Sequence, residues 1–188
     1  MKSFIRRERE IMNNKFLKHL SKNKLTYFVG IIAYILLIYL LLNSDNSIDQ
    51  TFIGTKYQLG HEEYIEKMEI TFKGRYSNPI IGRKRFKGVV ILDGEELLID
   101  LKFDKYNSTV LHALKKSGHI ISIGHLYIEP DFNEFTICLF EKENGVSSWN
   151  SESGFMFSTT ASNRVAALNL SNKLMGNQIE DNHSNKLK

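Results

Sequence analysis

Residues 86–103 read FKGVVILDGEELLIDLKF, two runs of alternating side chains hinged on Asp93-Gly94. Before the hinge, Phe86, Gly88, Val90 and Leu92 fall on one side, with Val89 and Ile91 between them. After it, Leu97, Ile99, Leu101 and Phe103 return on one side, while Glu96, Leu98, Asp100 and Lys102 take the other. A period of two is the pleat of a strand, and Asp-Gly tolerates the positive φ of a tight hairpin turn. The stretch predicts an antiparallel hairpin with one face buried.

The same period extends in both directions. Upstream, Met68, Ile70 and Phe72 alternate with Glu69, Thr71 and Lys73, and Gly74 and Tyr76 continue the apolar side. Downstream, strands are expected at Ser108–Leu114, His119–Ile128, Glu134–Glu141 and Gly154–Ser158, punctuated by turns at 104–107, 115–118, 130–131 and 144–145. Seven or eight short strands spaced by turns describe an antiparallel meander, as a small barrel or a strongly curled sheet that hides its edges. Over 160–176 the period changes. Val165, Ala167, Leu168, Leu170 and Leu174 share a helical face, Thr160 or Ser162 offers a cap, and Gly176 suits the position after the end. The expectation is a mainly antiparallel β (α+β) domain over 51–176 with one C-terminal helix packed on a face or end of the sheet. Residues 177–188 read as a disordered tail.

Ahead of this domain lies LTYFVGIIAYILLIYLLL, residues 25–42, without a charge. At about 1.5 Å per residue an eighteen-residue helix covers roughly 27 Å, close to the hydrocarbon thickness of a bilayer. A single transmembrane helix is expected there, with Tyr27 and Tyr39 near its ends. Residues 1–24 hold eight basic side chains against Glu8 and Glu10, whereas the first charges beyond the span are Asp45 and Asp49. That bias places the N-terminus in the cytoplasm and the folded domain outside. The apolar run exceeds the 7–15 residues of a signal peptide, and 40–45 offers no small-x-small site, so an uncleaved anchor is the preferred reading over a cleaved peptide. The basic leader, 1–24, reads as a disordered topology signal in preference to an interfacial helix. The polar stretch 43–50 reads as a short linker.

Net charge is +4 with a pI near 9.0, but the leader supplies the excess. Residues 43–188 carry seventeen basic against nineteen acidic side chains, which removes the electrostatic footprint of a nucleic-acid partner. A single cysteine, Cys138, cannot form an internal disulfide. The chain is rich in Asn, Lys and Ile and has no disulfide, which suits a bacterial surface protein.

Chemistry-bearing patterns are sparse. His119 and His125 stand six residues apart on one strand, roughly 20 Å at ~3.3 Å per residue, too far for one metal ion. His112 lies on a neighbouring strand, and His61-Glu62-Glu63 is not His-Glu-x-x-His. Cys138 alternates with Thr136 and Phe140 and reads as a buried thiol. No Gly-x-Ser-x-Gly elbow or phosphate-cradling glycine loop is present. Asp93, Glu95, Glu96, Asp100 and Asp104 fall on the solvent side of the alternation. No catalytic residue, metal or cofactor is therefore assigned.

One local anomaly stands out. Lys73, Arg75, Arg83, Lys84, Arg85 and Lys87 follow one another without an acid, around Ser77-Asn78-Pro79-Ile80-Ile81-Gly82. A basic hairpin with an apolar tip at Ile80 and Ile81 is a candidate contact for an anionic lipid surface or envelope polymer. The bland alternative tucks both isoleucines under the sheet. The expected function is a membrane-anchored extracytoplasmic interaction module, non-catalytic, serving an unidentified protein or envelope partner as accessory, sensor or protective factor. The alternatives are a lipocalin-like carrier of a small apolar ligand and an envelope hydrolase. An interior filled by Phe72, Phe86, Leu101, Phe103 and Phe135 would favour the module, and a hollow one the carrier.

Overall fold

In the computed structural model the described residues are 24–42, 45–143, 145–181 and 187. Residues 1–23 of the leader 1–24 lie outside them, and with them its disordered or helical character. The chain forms two compact units, Met1–Asn43 and Ser44–Lys188.

In the first unit, helix α1 spans Lys24–Leu42, nineteen residues with a charge only at Lys24. All the described side chains of α1 are exposed, Phe28 and Tyr34 to 62% and 65%. Among the described residues no helix is long and apolar enough to cross a membrane. For α1 that statement covers the side chains of 24 and 26–39.

In the second unit ten strands run in chain order: β1 Asp45–Gln58, β2 His61–Ser77, β3 Arg85–Leu92, β4 Glu95–Lys102, β5 Ser108–Leu114, β6 Ile120–Ile128, β7 Phe135–Leu139, β8 Glu141–Glu143, β9 Val146–Ser148 and β10 Phe155–Thr159. Helix α2, Arg164–Asp181, follows. Eight strands close into an antiparallel barrel in the order β1-β10-β7-β6-β5-β4-β3-β2, and β8 and β9 form a separate two-stranded ribbon. This is the meander expected from the sequence, closed by β10 returning to β1. The 86–103 hairpin forms β3 and β4 in the expected register, Phe86 opposite Leu101 and Val90 opposite Leu97. Asp93 and Gly94 both adopt positive φ, 50° and 77°. Gly74 and Gly88 face each other across β2 and β3. A Cβ on Gly88 would sit 2.1 Å from the Lys73 carbonyl oxygen, so the close approach that curls this wall excludes a side chain.

Three boundaries differ from expectation. Residues 45–50, expected as linker, are strand, paired from Asp45 opposite Ser77 to Gln50 opposite Phe72. Ile48 packs against the barrel interior, while Asp45 and Asp49 face Arg75 and Lys73. The helix expected over 160–176 begins at Arg164, capped by Asn163, whose Oδ1 accepts from the Ala166 N–H at 2.9 Å. It continues through Gly176 to Asp181. Leu187, in the expected disordered tail, is buried and exchanges two hydrogen bonds with the Asn172 side chain, at 2.9 and 3.2 Å.

The barrel core is aromatic. Phe52, Phe72, Phe86, Phe103, Phe135 and Phe157 are buried inside with Leu97, Ile99, Leu101 and Ile137. A second cluster lies between α2 and the outer wall of β1, β6, β7 and β10, so the helix covers a side of the barrel and not its mouth. Its polar key is Ser171, whose Oγ lies 2.7 Å from Thr136 Oγ1 and 2.8 Å from both Ser158 Oγ and Tyr57 Oη. All four side chains are buried, and the cluster is tied to the backbone by Thr136 Oγ1, which donates to Phe157 O at 2.8 Å.

Candidate interaction surface at the loop end of the barrel

The connections sort onto two ends. Tight turns at Gly60, Asp93-Gly94 and 115–118 occupy one. Residues 78–84, 103–107 and 129–134 gather at the other, linked by Phe103 N–H to Lys84 O and Ile128 N–H to Asn107 O, both at 3.0 Å. Into this second end Phe132 inserts from the β6–β7 turn. It is 1% exposed, and six rings surround it: Phe52, Phe72, Tyr76, Phe86, Phe103 and Phe135, with centroids 5.2–6.4 Å away. Its φ is +63°, unusual for a bulky residue, and its N–H donates to Glu129 O at 3.0 Å. Sequence periodicity missed this plug, because a turn residue carries no strand phase.

Above the plug the 78–84 loop is tied down. Tyr76 Oη and Asn78 Nδ2 both donate to the Pro130 carbonyl, at 2.9 and 3.3 Å. Ile80 and Ile81 are not tucked under the sheet; they are 61% and 77% exposed. The basic run acquires acids from neighbouring strands that its local sequence lacks. Lys73 approaches Asp49 and Arg75 approaches Asp45, each at 3.8 Å. Arg85 Nε donates to Asp100 Oδ1 at 2.7 Å and its Nη2 to Oδ2, a bidentate pair. That hydrogen bonding raises the Arg85 pKa and lowers that of Asp100. Lys84 is half-buried and donates to Asn107 Oδ1 at 2.7 Å, and burial lowers its pKa. Arg83 and Lys87 are exposed. The structure thus brings Lys73, Arg75 and Lys87 together on the outer wall beside Asp49, lining a shallow depression, and leaves Arg83 beside the isoleucines.

The remaining candidates take structural partners. His112 Nδ1 lies 2.9 Å from Ser122 Oγ across β5 and β6, and His125 stacks on Tyr127 at 4.7 Å. Among the described residues no group of three His, Cys, Asp or Glu side chains is placed to hold a metal ion. Cys138 is buried under α2, and burial pushes its thiol up to about 12. Glu95 and Glu96 pair with Lys115 and Lys116 at 2.9 and 3.5 Å.

A Ser-His-Asp cluster, which the sequence separation conceals, does form: Ser108 Oγ donates to Asp104 Oδ2 at 3.0 Å and lies 3.2 Å from His125 Nε2. Its order is wrong for nucleophilic catalysis. The serine's one proton goes to the carboxylate, so the imidazole serves as donor, whereas a catalytic base must accept that proton. Ser108 is also 1% exposed. Burial lowers the His125 pKa, opposed by the Asp104 charge.

Comparison with known proteins returns no match: no family model, curated protein or solved structure is similar to this chain.

Proposed function

We propose that this protein is a non-catalytic interaction module held at the outer face of a membrane by α1. In this reading residues 25–42 span the bilayer, the basic leader stays in the cytoplasm, and the barrel is presented outside to an envelope component or partner protein. The observation that carries it is the filled barrel. A carrier of apolar ligands keeps its lumen free, whereas here Phe132 and its six surrounding rings occupy the interior. The outer wall and loops are then what the domain has to offer. The anchor rests on the uncharged run from Leu25 to Leu42 and on the exposure of its side chains from 26 to 39, which in water would be unfavourable.

The test combines extraction with mass. The full chain is expected to stay in the membrane pellet through an alkaline carbonate wash, and a variant lacking 25–42 to leave it. Native mass spectrometry of the purified chain is expected to give the polypeptide mass alone. Carbonate release of the full chain overturns the anchor; a stoichiometric apolar adduct favours the carrier.

A further inference from the structure

We propose that the 78–84 loop is a second membrane contact: Ile80 and Ile81 enter the interfacial layer of the leaflet facing the barrel, with Arg83 at headgroup level. The inference rests on the anchor reading above and adds a fixed seat for the barrel.

Chain length supplies the first argument. Residues 43 and 44 alone separate the end of α1 at Leu42 from the start of β1 at Asp45. Three Cα steps of 3.8 Å reach at most about 11 Å. The headgroup layer beyond the hydrocarbon edge is itself roughly 5–8 Å deep. Asp45 pairs with Ser77, the last residue before the loop. The loop therefore springs from the barrel edge to which the tether is attached, and full extension of the tether lifts Asp45 only about 3–6 Å beyond the headgroup layer.

Exposure supplies the second. Ile53, Ile65 and Ile120 are also exposed, at 57%, 49% and 73%; what sets Ile80 and Ile81 apart is that they are adjacent in one loop, 61% and 77% exposed, beside the tether. Adjacent exposed isoleucines on a hydrogen-bonded loop lose little conformational freedom on insertion, since Tyr76 and Asn78 already fix the loop to Pro130. Three of the six cations, Lys73, Arg75 and Arg85, already face carboxylates, which halves the charge the run offers to anionic lipid. Insertion is therefore driven by the apolar tip and proceeds in neutral phosphatidylcholine.

The test uses the full chain in phosphatidylcholine nanodiscs with one environment-sensitive thiol probe per variant. Buried Cys138, its thiol pushed up to about 12, stays unlabelled. Probes at Leu36→Cys and Ile81→Cys are expected to be quenched by a lipid-borne quencher, and a probe at Ser117→Cys, in the turn at the opposite barrel end, by a water-soluble one. A lipid-quenched Leu36 probe with a water-quenched Ile81 probe overturns the loop contact and leaves the anchor standing. A water-quenched Leu36 probe overturns the anchor and the contact with it. In a second series the probe sits at Arg83→Cys, and Ile80→Asp/Ile81→Asp is expected to abolish its lipid quenching. Unchanged quenching there would also overturn the proposal, because the isoleucines would not be what holds the loop.

Discussion

Phe132→Ala is the perturbation that most sharply separates a plugged barrel from a hollow one. The ring is 1% exposed and six aromatic neighbours surround it within 6.4 Å. Truncating a buried Phe to Ala removes its transfer free energy and leaves a cavity, together about 3–5 kcal/mol. These neighbours are pinned on different strands, so they cannot all collapse into the space, and a loss in the upper half of that range is expected. The backbone adds a control. At φ +63° both Phe and Ala carry a Cβ and share the left-handed strain, about 1–2 kcal/mol, so the Ala variant reads the ring alone. Phe132→Gly relieves that strain but frees the unfolded chain by roughly 0.5–1 kcal/mol. The Gly variant should therefore match the Ala variant within about 1 kcal/mol despite the missing methyl. Urea unfolding of the full chain in detergent, followed by circular dichroism, measures both. A Phe132→Ala loss below about 1 kcal/mol would refute the plug, because a ring so placed cannot be removed that cheaply.

Other expectations concern the walls. Ser171→Ala removes the hub of four buried hydroxyls and should cost about 1–3 kcal/mol, with faster amide exchange in α2. Gly88→Ala drives a Cβ against the Lys73 carbonyl and should destabilise by at least about 1–3 kcal/mol, whereas Gly176→Ala, whose Cβ meets open space in a helix, should be neutral or stabilising in the same unfolding assay. Burial pushes Tyr57 and Tyr76 up to about 12. Below pH about 10 both states keep these protons. Between about 10 and 12 the unfolded chain loses them first, so stability should fall as pH rises, read by urea midpoints across that window. His125 has the opposite sense: its folded pKa is lowered, so the unfolded state protonates first and stability should decline as pH drops below about 6.5, a slope that His125→Gln should flatten.

The barrel walls were legible in the sequence wherever one face alternates cleanly with the other. β3 and β4 carry that alternation on both sides of an Asp-Gly turn, and their register follows from it. β1 was legible only in part. Its first six residues, Asp45–Gln50, are nearly all polar, and what makes them a strand is long-range: Ile48 on the core, and carboxylates opposite Arg75 and Lys73. The same pairing explains why the basic run looked uncompensated, since its acids lie on other strands. Phe132 escaped because a turn residue has no phase to read. The Asp104, Ser108 and His125 cluster escaped because seventeen residues separate its serine from its histidine. The candidate loop was read in place, but only the fold decides between buried and exposed isoleucines, and it exposes them.

The proposed function puts the barrel outside the cell on a membrane anchor. Ser117→Cys, in an exposed turn far from the loop end, offers the most direct measurement: labelling with a membrane-impermeant maleimide in intact cells expressing the full chain. Labelling is expected in intact cells, and permeabilisation should not increase it. A site that reacts only after permeabilisation would contradict that placement.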